Sequence, residues 1–127
     1  MSQPELPPLL REQLARYDQA QQNLQAVLAQ KQQVELELSE TEKALEELGK
    51  AADSEPVYKF AGNLLIKTKK EDVTKELIEK KELANTRKMV LAKQESRFRE
   101  SLKDLQAKID DAMKARPSQT QQPPGDA

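Results

Sequence analysis

The chain has 127 residues, of which 36% are hydrophobic and 34% are charged, and its net charge is −1. Average domains contain about 45–50% apolar and about 25% charged residues, so a compact core of ordinary depth is excluded. The chain contains no Cys and no His, which excludes disulfides, thiolate metal sites and the commonest catalytic base. About half of its residues are Ala, Glu, Lys, Leu or Arg, a composition typical of long helices and coiled coils.

The sequence lacks the motifs that are typical of several classes of function. The glycines stand far apart at Gly49, Gly62 and Gly125, so no glycine-rich phosphate loop is present. No segment approaches the ~18 apolar residues of a membrane span, and no basic start precedes an apolar run. The net charge gives no general attraction to nucleic acid. We therefore expect a soluble, cytoplasmic protein that is not an enzyme and has no cofactor, metal site, membrane partner or nucleic-acid partner.

A first long helix is predicted over residues 9–48, after a short N-terminal lead at residues 1–8. This segment has no Pro and no Gly, and Gly49 stands where a C-cap is expected. Its apolar or tolerated positions recur mostly in alternating steps of three and four, which predicts a coiled-coil seam. At Leu28–Lys31–Val34 two steps of three follow each other, which interrupts the alternation and predicts a local change in the winding of the coiled coil. The predicted seam comprises Leu10, Leu14, Tyr17, Gln21, Leu24, Leu28, Lys31, Val34, Leu38, Thr41, Leu45 and Leu48.

A β-hairpin is predicted over residues 57–67, after a linker at residues 49–56. Two β-prone runs flank Gly62-Asn63, which suits a two-residue II′ turn and places Phe60 opposite Leu65. An isolated hairpin is marginal in water, and this one has two open edges and apolar side chains on both faces. We expect it to pair with other subunits rather than to fold onto its own helices. The predicted oligomerisation residues are Val57, Tyr58, Phe60, Leu64, Leu65 and Ile66.

A second long helix is predicted over residues 69–115. Thr68 and Glu71 fit a capping box at its start, Pro117 stops it, and residues 116–127 have the composition of a disordered tail. Leu83 and Val90 widen its apolar stripe, which suggests contact with more than one neighbour. The stripe itself comprises Val73, Leu77, Ala84, Leu91, Phe98, Leu102, Leu105, Ile109 and Ala112.

The two seams match each other in antiparallel order. The pairs Leu10 with Ile109, Leu14 with Leu105, Tyr17 with Leu102 and Leu28 with Leu91 share one index sum, 119. The predicted fold is therefore mainly α: a long antiparallel two-helix coiled coil, roughly 60 Å long, joined by a linker that holds one hairpin.

The order of a long helix ending in KALEEL, an acidic-alanine linker, the hairpin PVYKFAGNLLIK, a capped second helix and a Pro-rich tail resembles the β-type subunit of prefoldin, especially its archaeal form. The resemblance covers residues 9–115, a single prefoldin β-type domain, and a linker that holds one hairpin independently favours the β-type. It implies a hexamer with a prefoldin α-type subunit, of two α and four β, whose hairpins form a β-barrel platform carrying six coiled-coil arms. It also implies a molecular chaperone that captures unfolded client proteins without ATP and transfers them to a group II chaperonin.

The resemblance further implies that clients bind at the arm tips, where the first helix starts and the second ends. Some of these residues could instead merely close the end of the coiled coil. For the protein as a whole, the alternative function is a structural coiled-coil scaffold assembled through its hairpin. The expected client-binding residues are Leu6, Leu9, Leu10, Leu14, Leu105, Ile109 and Met113.

Overall fold

The computed structural model describes residues 6–115. They form helix α1 (Pro8–Lys50), strands β1 (Val57–Ala61) and β2 (Leu64–Thr68), and helix α2 (Lys70–Ala115). The predicted fold of two long helices joined through one hairpin is confirmed. The predicted tail at residues 116–127 and the first five residues of the lead lie outside the described residues.

The chain divides into two compact units. The terminal unit combines the described residues of Met1–Leu28 with those of Lys93–Ala127, and the hairpin unit is Ala29–Ala92. Each helix therefore contributes one part to each unit.

The buried row of α1 is more regular than predicted. Ala20 and Val27 are buried and Gln13 is half-buried, whereas the predicted seam residues Leu14 and Gln21 are exposed. The row therefore alternates steps of three and four without interruption, and the predicted slip at Leu28–Lys31–Val34 is wrong. Polar Gln13 and small Ala20 complete a heptad pattern that their larger sequence neighbours Leu14 and Gln21 obscured. The buried and half-buried row is Leu10, Gln13, Tyr17, Ala20, Leu24, Val27, Lys31, Val34, Leu38, Thr41, Leu45 and Leu48.

The predicted apolar stripe of α2 is confirmed, since all nine of its residues are buried or half-buried. Leu83 and Val90, which were expected to widen it toward a further neighbour, are exposed in the single chain. Half-buried Lys81, Lys88 and Glu95 complete the heptad positions between the apolar residues. Their aliphatic stems can cover apolar surface while their charged groups remain near water.

Within the hairpin unit, contacts between the two helices establish an antiparallel pairing. Arg87 Nη1 lies 3.3 Å from Glu37 Oε2, and Lys81 Nζ lies 3.6 Å from Glu42 Oε2. The partner on α1 moves forward along the chain as the partner on α2 moves backward. Thr41 is a buried polar residue on α1, and its hydroxyl has a hydrogen-bond partner, since it donates to the Glu37 carbonyl at 2.7 Å.

The hairpin has the predicted register and turn length. Ala61 pairs with Leu64, Phe60 with Leu65 and Lys59 with Ile66. Gly62 has φ +62°, a conformation that L-residues rarely adopt and that the first central residue of a two-residue hairpin turn requires.

Both predicted helix caps differ from the structure. Thr68 is not the N-cap of α2, because it pairs with Val57 at the end of the sheet, and the Val73 N–H donates to the Lys69 carbonyl. Gly49 is not a left-handed C-cap, since α1 continues to Lys50 and Gly62 is the glycine with positive φ among the described residues. At Thr68, strand pairing decides the boundary over the local capping preference.

Candidate assembly and client-binding surfaces

The hairpin presents apolar side chains on both of its faces. Tyr58, Phe60 and Leu65 lie on one face, and Phe60 is 81% exposed. Leu64 and Ile66 lie on the opposite face and are also exposed, while Val57 is half-buried. Apart from Val57, these side chains lack the burial that a hairpin folded back onto its own helices would show. The hairpin therefore presents an exposed apolar surface, of the kind found at interaction sites.

The two edges of the hairpin are open as well. Among the described residues the sheet contains only β1 and β2. In an antiparallel ladder closed by the pair Ala61 and Leu64, alternate residues turn their backbone groups outward. These are Tyr58 and Phe60 on β1, and Leu65 and Lys67 on β2. Each edge thus offers N–H and C=O groups to a further strand.

Three polar contacts fix the hairpin and linker to the start of α2. Lys59 Nζ lies 2.9 Å and 3.1 Å from the two carboxylate oxygens of Glu76. Lys70 Nζ donates to the Ala51 carbonyl at 2.7 Å and lies 3.3 Å from Asp53 Oδ1. The strand and the linker are therefore held by lysines, and the apolar hairpin side chains remain free.

Sequence reasoning missed these anchoring residues. Lys59 stands between Tyr58 and Phe60, so strand alternation places it on the opposite face from both aromatic rings. That alternation was the available signal, although it does not reveal which acidic residue receives the lysine. The partner Glu76 is 17 residues away in sequence, and only the folded chain brings the two together.

The linker closes on itself with a short turn. The Glu55 N–H donates to the Ala52 carbonyl at 3.0 Å, and the Glu55 carboxylate accepts from the Ala52 N–H at 3.0 Å. Pro56 then leads directly into β1. The linker thereby connects the end of α1 to the hairpin.

The predicted client-binding residues fall into three groups by burial. Leu10 and Ile109 are 1% and 8% exposed, so they close the helix pair rather than present a free surface. Leu9, Leu14 and Met113 are exposed. Leu6 and Leu105 are half-buried. The terminal unit thus combines a closed seam with apolar side chains around it.

One side-chain oxygen in the described part of the terminal unit is buried without a hydrogen bond. The side-chain oxygen of Gln13 is buried without a hydrogen-bond partner. Leaving a buried acceptor unpaired costs about 1–3 kcal/mol. This seam position was also missed by sequence reasoning, which chose neighbouring Leu14 for its larger apolar side chain.

Comparison with known proteins decides the family. A family model described as prefoldin subunit matches residues 11–116. The prefoldin subunit beta of Archaeoglobus fulgidus is 51% identical over 105 residues, which cover 83% of this chain and 90% of the relative. The chain belongs to the prefoldin subunit family.

Two further prefoldin β proteins support this assignment. The prefoldin subunit beta of Thermococcus onnurineus is 41% identical over 109 residues, covering 86% of this chain and 94% of the relative. The crystal structure of the prefoldin beta subunit from Thermococcus strain KS-1 superposes with a TM-score of 0.76 at 42% identity, covering 85% of this chain and 95% of that one. These matches confirm the predicted resemblance. Prefoldin is a chaperone family with a helical coiled-coil architecture. Neither helix of residues 6–115 contains an apolar stretch of the length required to span a bilayer.

Proposed function

We propose that this prefoldin subunit acts as an ATP-independent holdase within a hexamer of two α-type and four β-type subunits. The hairpins assemble the platform, the arm ends bind unfolded proteins, and the bound client passes to a group II chaperonin in the cytoplasm. The protein itself performs no catalysis and needs no cofactor.

The observation that carries this proposal is the exposed hairpin. Burying a large apolar side chain contributes roughly 1.5–3 kcal/mol, and Tyr58, Phe60, Leu64, Leu65 and Ile66 all retain exposed surface. A further strand would also pair the open backbone edges. Assembly therefore satisfies both the side chains and the backbone of an element that is marginal by itself.

The arm ends support the second part of the proposal. Leu9, Leu14 and Met113 are exposed in the terminal unit, away in sequence from the hairpin. Met is suited to varied partners because its side chain is flexible and polarisable. Several weak contacts on different arms of one assembly would reinforce each other through effective concentration. No single arm then needs a high affinity.

The proposal is tested by mixing this chain with a prefoldin α-type subunit and measuring light scattering from an unrelated denatured protein without nucleotide. A holdase lowers the scattering in proportion to the amount of complex. A scaffold forms the same complex, measured by native mass spectrometry, but leaves the scattering unchanged. Adding a group II chaperonin with ATP then tests transfer, which requires recovery of the client's native activity.

A further inference from the structure

The hairpin unit carries exposed apolar side chains on the outer sides of its helices, away from the seam. Leu36 on α1 is exposed and lies midway between the seam residues Val34 and Leu38. Because a helix turns by about 100° per residue, this midpoint lies on the side of α1 opposite α2. Leu36 is therefore an apolar residue that its own helix pair cannot cover.

The outer side of α2 carries a set of four side chains that can receive one residue of a facing helix. Leu83 and Val90 are exposed and lie seven residues apart, so they occupy the same side of the helix, with exposed Thr86 between them. Helix residues spaced i, i+3, i+4 and i+7 surround a hole of the kind seen in coiled coils. The fourth member is Arg87, which is ion-paired with Glu37 of its own chain. We call these four residues the α2 hole.

Leu36 and the α2 hole lie at the same level of the helix pair. The two ion pairs between the helices have index sums of 124 and 123, which places Leu36 at the level of residues 87–88 on α2. Leu36 is 14 residues from Lys50 at the end of α1, and Arg87 is 17 residues from Lys70 at the start of α2. These separations correspond to about 21 Å and about 26 Å of helix. Two copies that stand side by side in parallel therefore bring Leu36 of one to the α2 hole of the other.

A pair of opposite charges lies next to this apolar contact. Lys43 follows Leu36 by one heptad on the outer side of α1, and Glu79 precedes Thr86 by one heptad on the outer side of α2. Their index sum of 122 places them at nearly one level. Both are exposed, and neither forms an ion pair with another residue of the described range 6–115. In two parallel copies side by side, the lysine of one meets the glutamate of the other, which favours this arrangement over others.

The small size of this surface indicates what kind of partner it fits. A stable interface between free proteins buries about 800 Å² on each partner, contributed by some 20–30 residues. One leucine in one hole, with an ion pair beside it, is much smaller than that. Such a contact suits a partner that is already held nearby, because a high effective concentration compensates for weak affinity. A second copy of this chain in the same assembly meets that condition.

We propose that neighbouring copies of this chain contact each other along their arms, with Leu36 of one copy in the α2 hole of the next. This inference rests on the proposed assembly through the hairpins, which holds the copies side by side. The two surfaces lie on opposite sides of one arm, so the contact is head-to-tail and each copy can contact a different neighbour on each side. The hairpins hold the assembly together, so loss of the contact leaves the native mass unchanged.

Disulfide cross-linking between copies tests the contact in the complex with a cysteine-free α-type subunit. This chain has no cysteine, so a ¹⁵N-labelled Leu36→Cys chain is mixed with an unlabelled Thr86→Cys chain before assembly and mild oxidation. Mass spectrometry then distinguishes the linked pairs. We expect at least five-fold more 36–86 product than 36–36 or 86–86 product, because a head-to-tail contact does not bring like positions together.

The matched control replaces Leu36→Cys with Lys43→Cys. Lys43 is exposed on the same side of α1 and is displaced by one heptad, or about 10 Å. The yield of 43–86 product should be less than one fifth of the 36–86 yield at the same native mass. Equal yields would overturn the contact.

Reversal of charge tests the register independently. Lys43→Glu in both labelled chains should lower the 36–86 yield at least three-fold, and adding Glu79→Lys should restore it. Lys43 and Glu79 lie on opposite outer sides of one helix pair, so restoration requires contact between copies. Failure of the double reversal to restore the yield would overturn the register.

The outcomes also separate the contact from the proposed assembly and from other occupants. A complex of full native mass with equal yields from test and control overturns the contact alone. A chain that does not assemble with the α-type subunit overturns the platform and the contact together. A benzophenone on Leu36→Cys should label this chain; stronger labelling of the α-type subunit or of a denatured client would overturn the choice of occupant.

Discussion

Glu37 and Arg87, 50 residues apart in the chain, meet across the two helices with 3.3 Å between Oε2 and Nη1. Glu37 lies three residues after buried Val34, and Arg87 lies three residues after buried Ala84. The residue numbers of this pair sum to 124, and those of the Glu42–Lys81 pair sum to 123, so the antiparallel register places Leu38 near the level of Ala84. Exposed ion pairs contribute only about 0–1 kcal/mol, so its main value here is as a marker of register.

The register predicts which cysteines can be cross-linked. Leu38→Cys with Ala84→Cys should form a disulfide efficiently under mild oxidation, because seam residues at one level approach within disulfide geometry. Mass spectrometry of the non-reduced protein measures the yield, and the absence of native cysteine removes any background. Leu38→Cys with Leu77→Cys, displaced by one heptad or about 10 Å, is the control. Equal yields from the two pairs would show that the register is wrong.

The hairpin should determine assembly. Phe60→Asp with Leu65→Asp places two carboxylates opposite each other on one apolar face, and we expect a lower native mass with nearly unchanged helix content. Native mass spectrometry and far-ultraviolet circular dichroism measure these two properties. Leu36→Asp is the control, since Leu36 is exposed on α1 outside the hairpin and should leave the mass unchanged. A double variant of full native mass would argue against the platform.

The unpaired oxygen of Gln13 predicts a stabilising substitution. Gln13→Leu removes a buried acceptor without a partner and adds apolar contact, so we expect the free energy of unfolding to rise by about 1–2 kcal/mol. Chemical denaturation of the assembled complex measures the change. Gln21→Leu, at an exposed position on the same helix, should change it by less than about 0.5 kcal/mol. A larger gain from Gln21→Leu would place the seam where sequence reasoning first put it.

The sequence predicted the hairpin well because its determinants are local. Gly62 supplies the positive φ of a two-residue turn, and that turn sets the pairing of Phe60 with Leu65. The seam of α1 was predicted less well, because side-chain size was taken as the guide. Packing selected Gln13 and Ala20 because they continue the heptad pattern, although Leu14 and Gln21 stand directly beside them.

The start of α2 shows a second limit of local reasoning. Thr68 fits a helix N-cap by its residue type, yet strand pairing with Val57 occupies it. Likewise, the contact of Lys59 with Glu76 depends on how the strand lies against α2. The outcome of such a competition, between a local helix-capping preference and a long-range contact, can be seen only in the folded chain.

Aggregation suppression by two matched double variants tests the central claim most directly. Leu9→Ser with Met113→Ser changes the arm end, where the side chains are 64% and 51% exposed. Leu36→Ser with Met89→Ser changes the hairpin unit, where they are 59% and 65% exposed, so the two variants remove the same residue types at similar exposure. Each is assembled with the α-type subunit, and light scattering from a denatured protein is recorded without nucleotide. We expect the arm-end variant to lose most suppression at unchanged native mass and the hairpin-unit variant to retain it; full suppression by the arm-end variant would contradict the account.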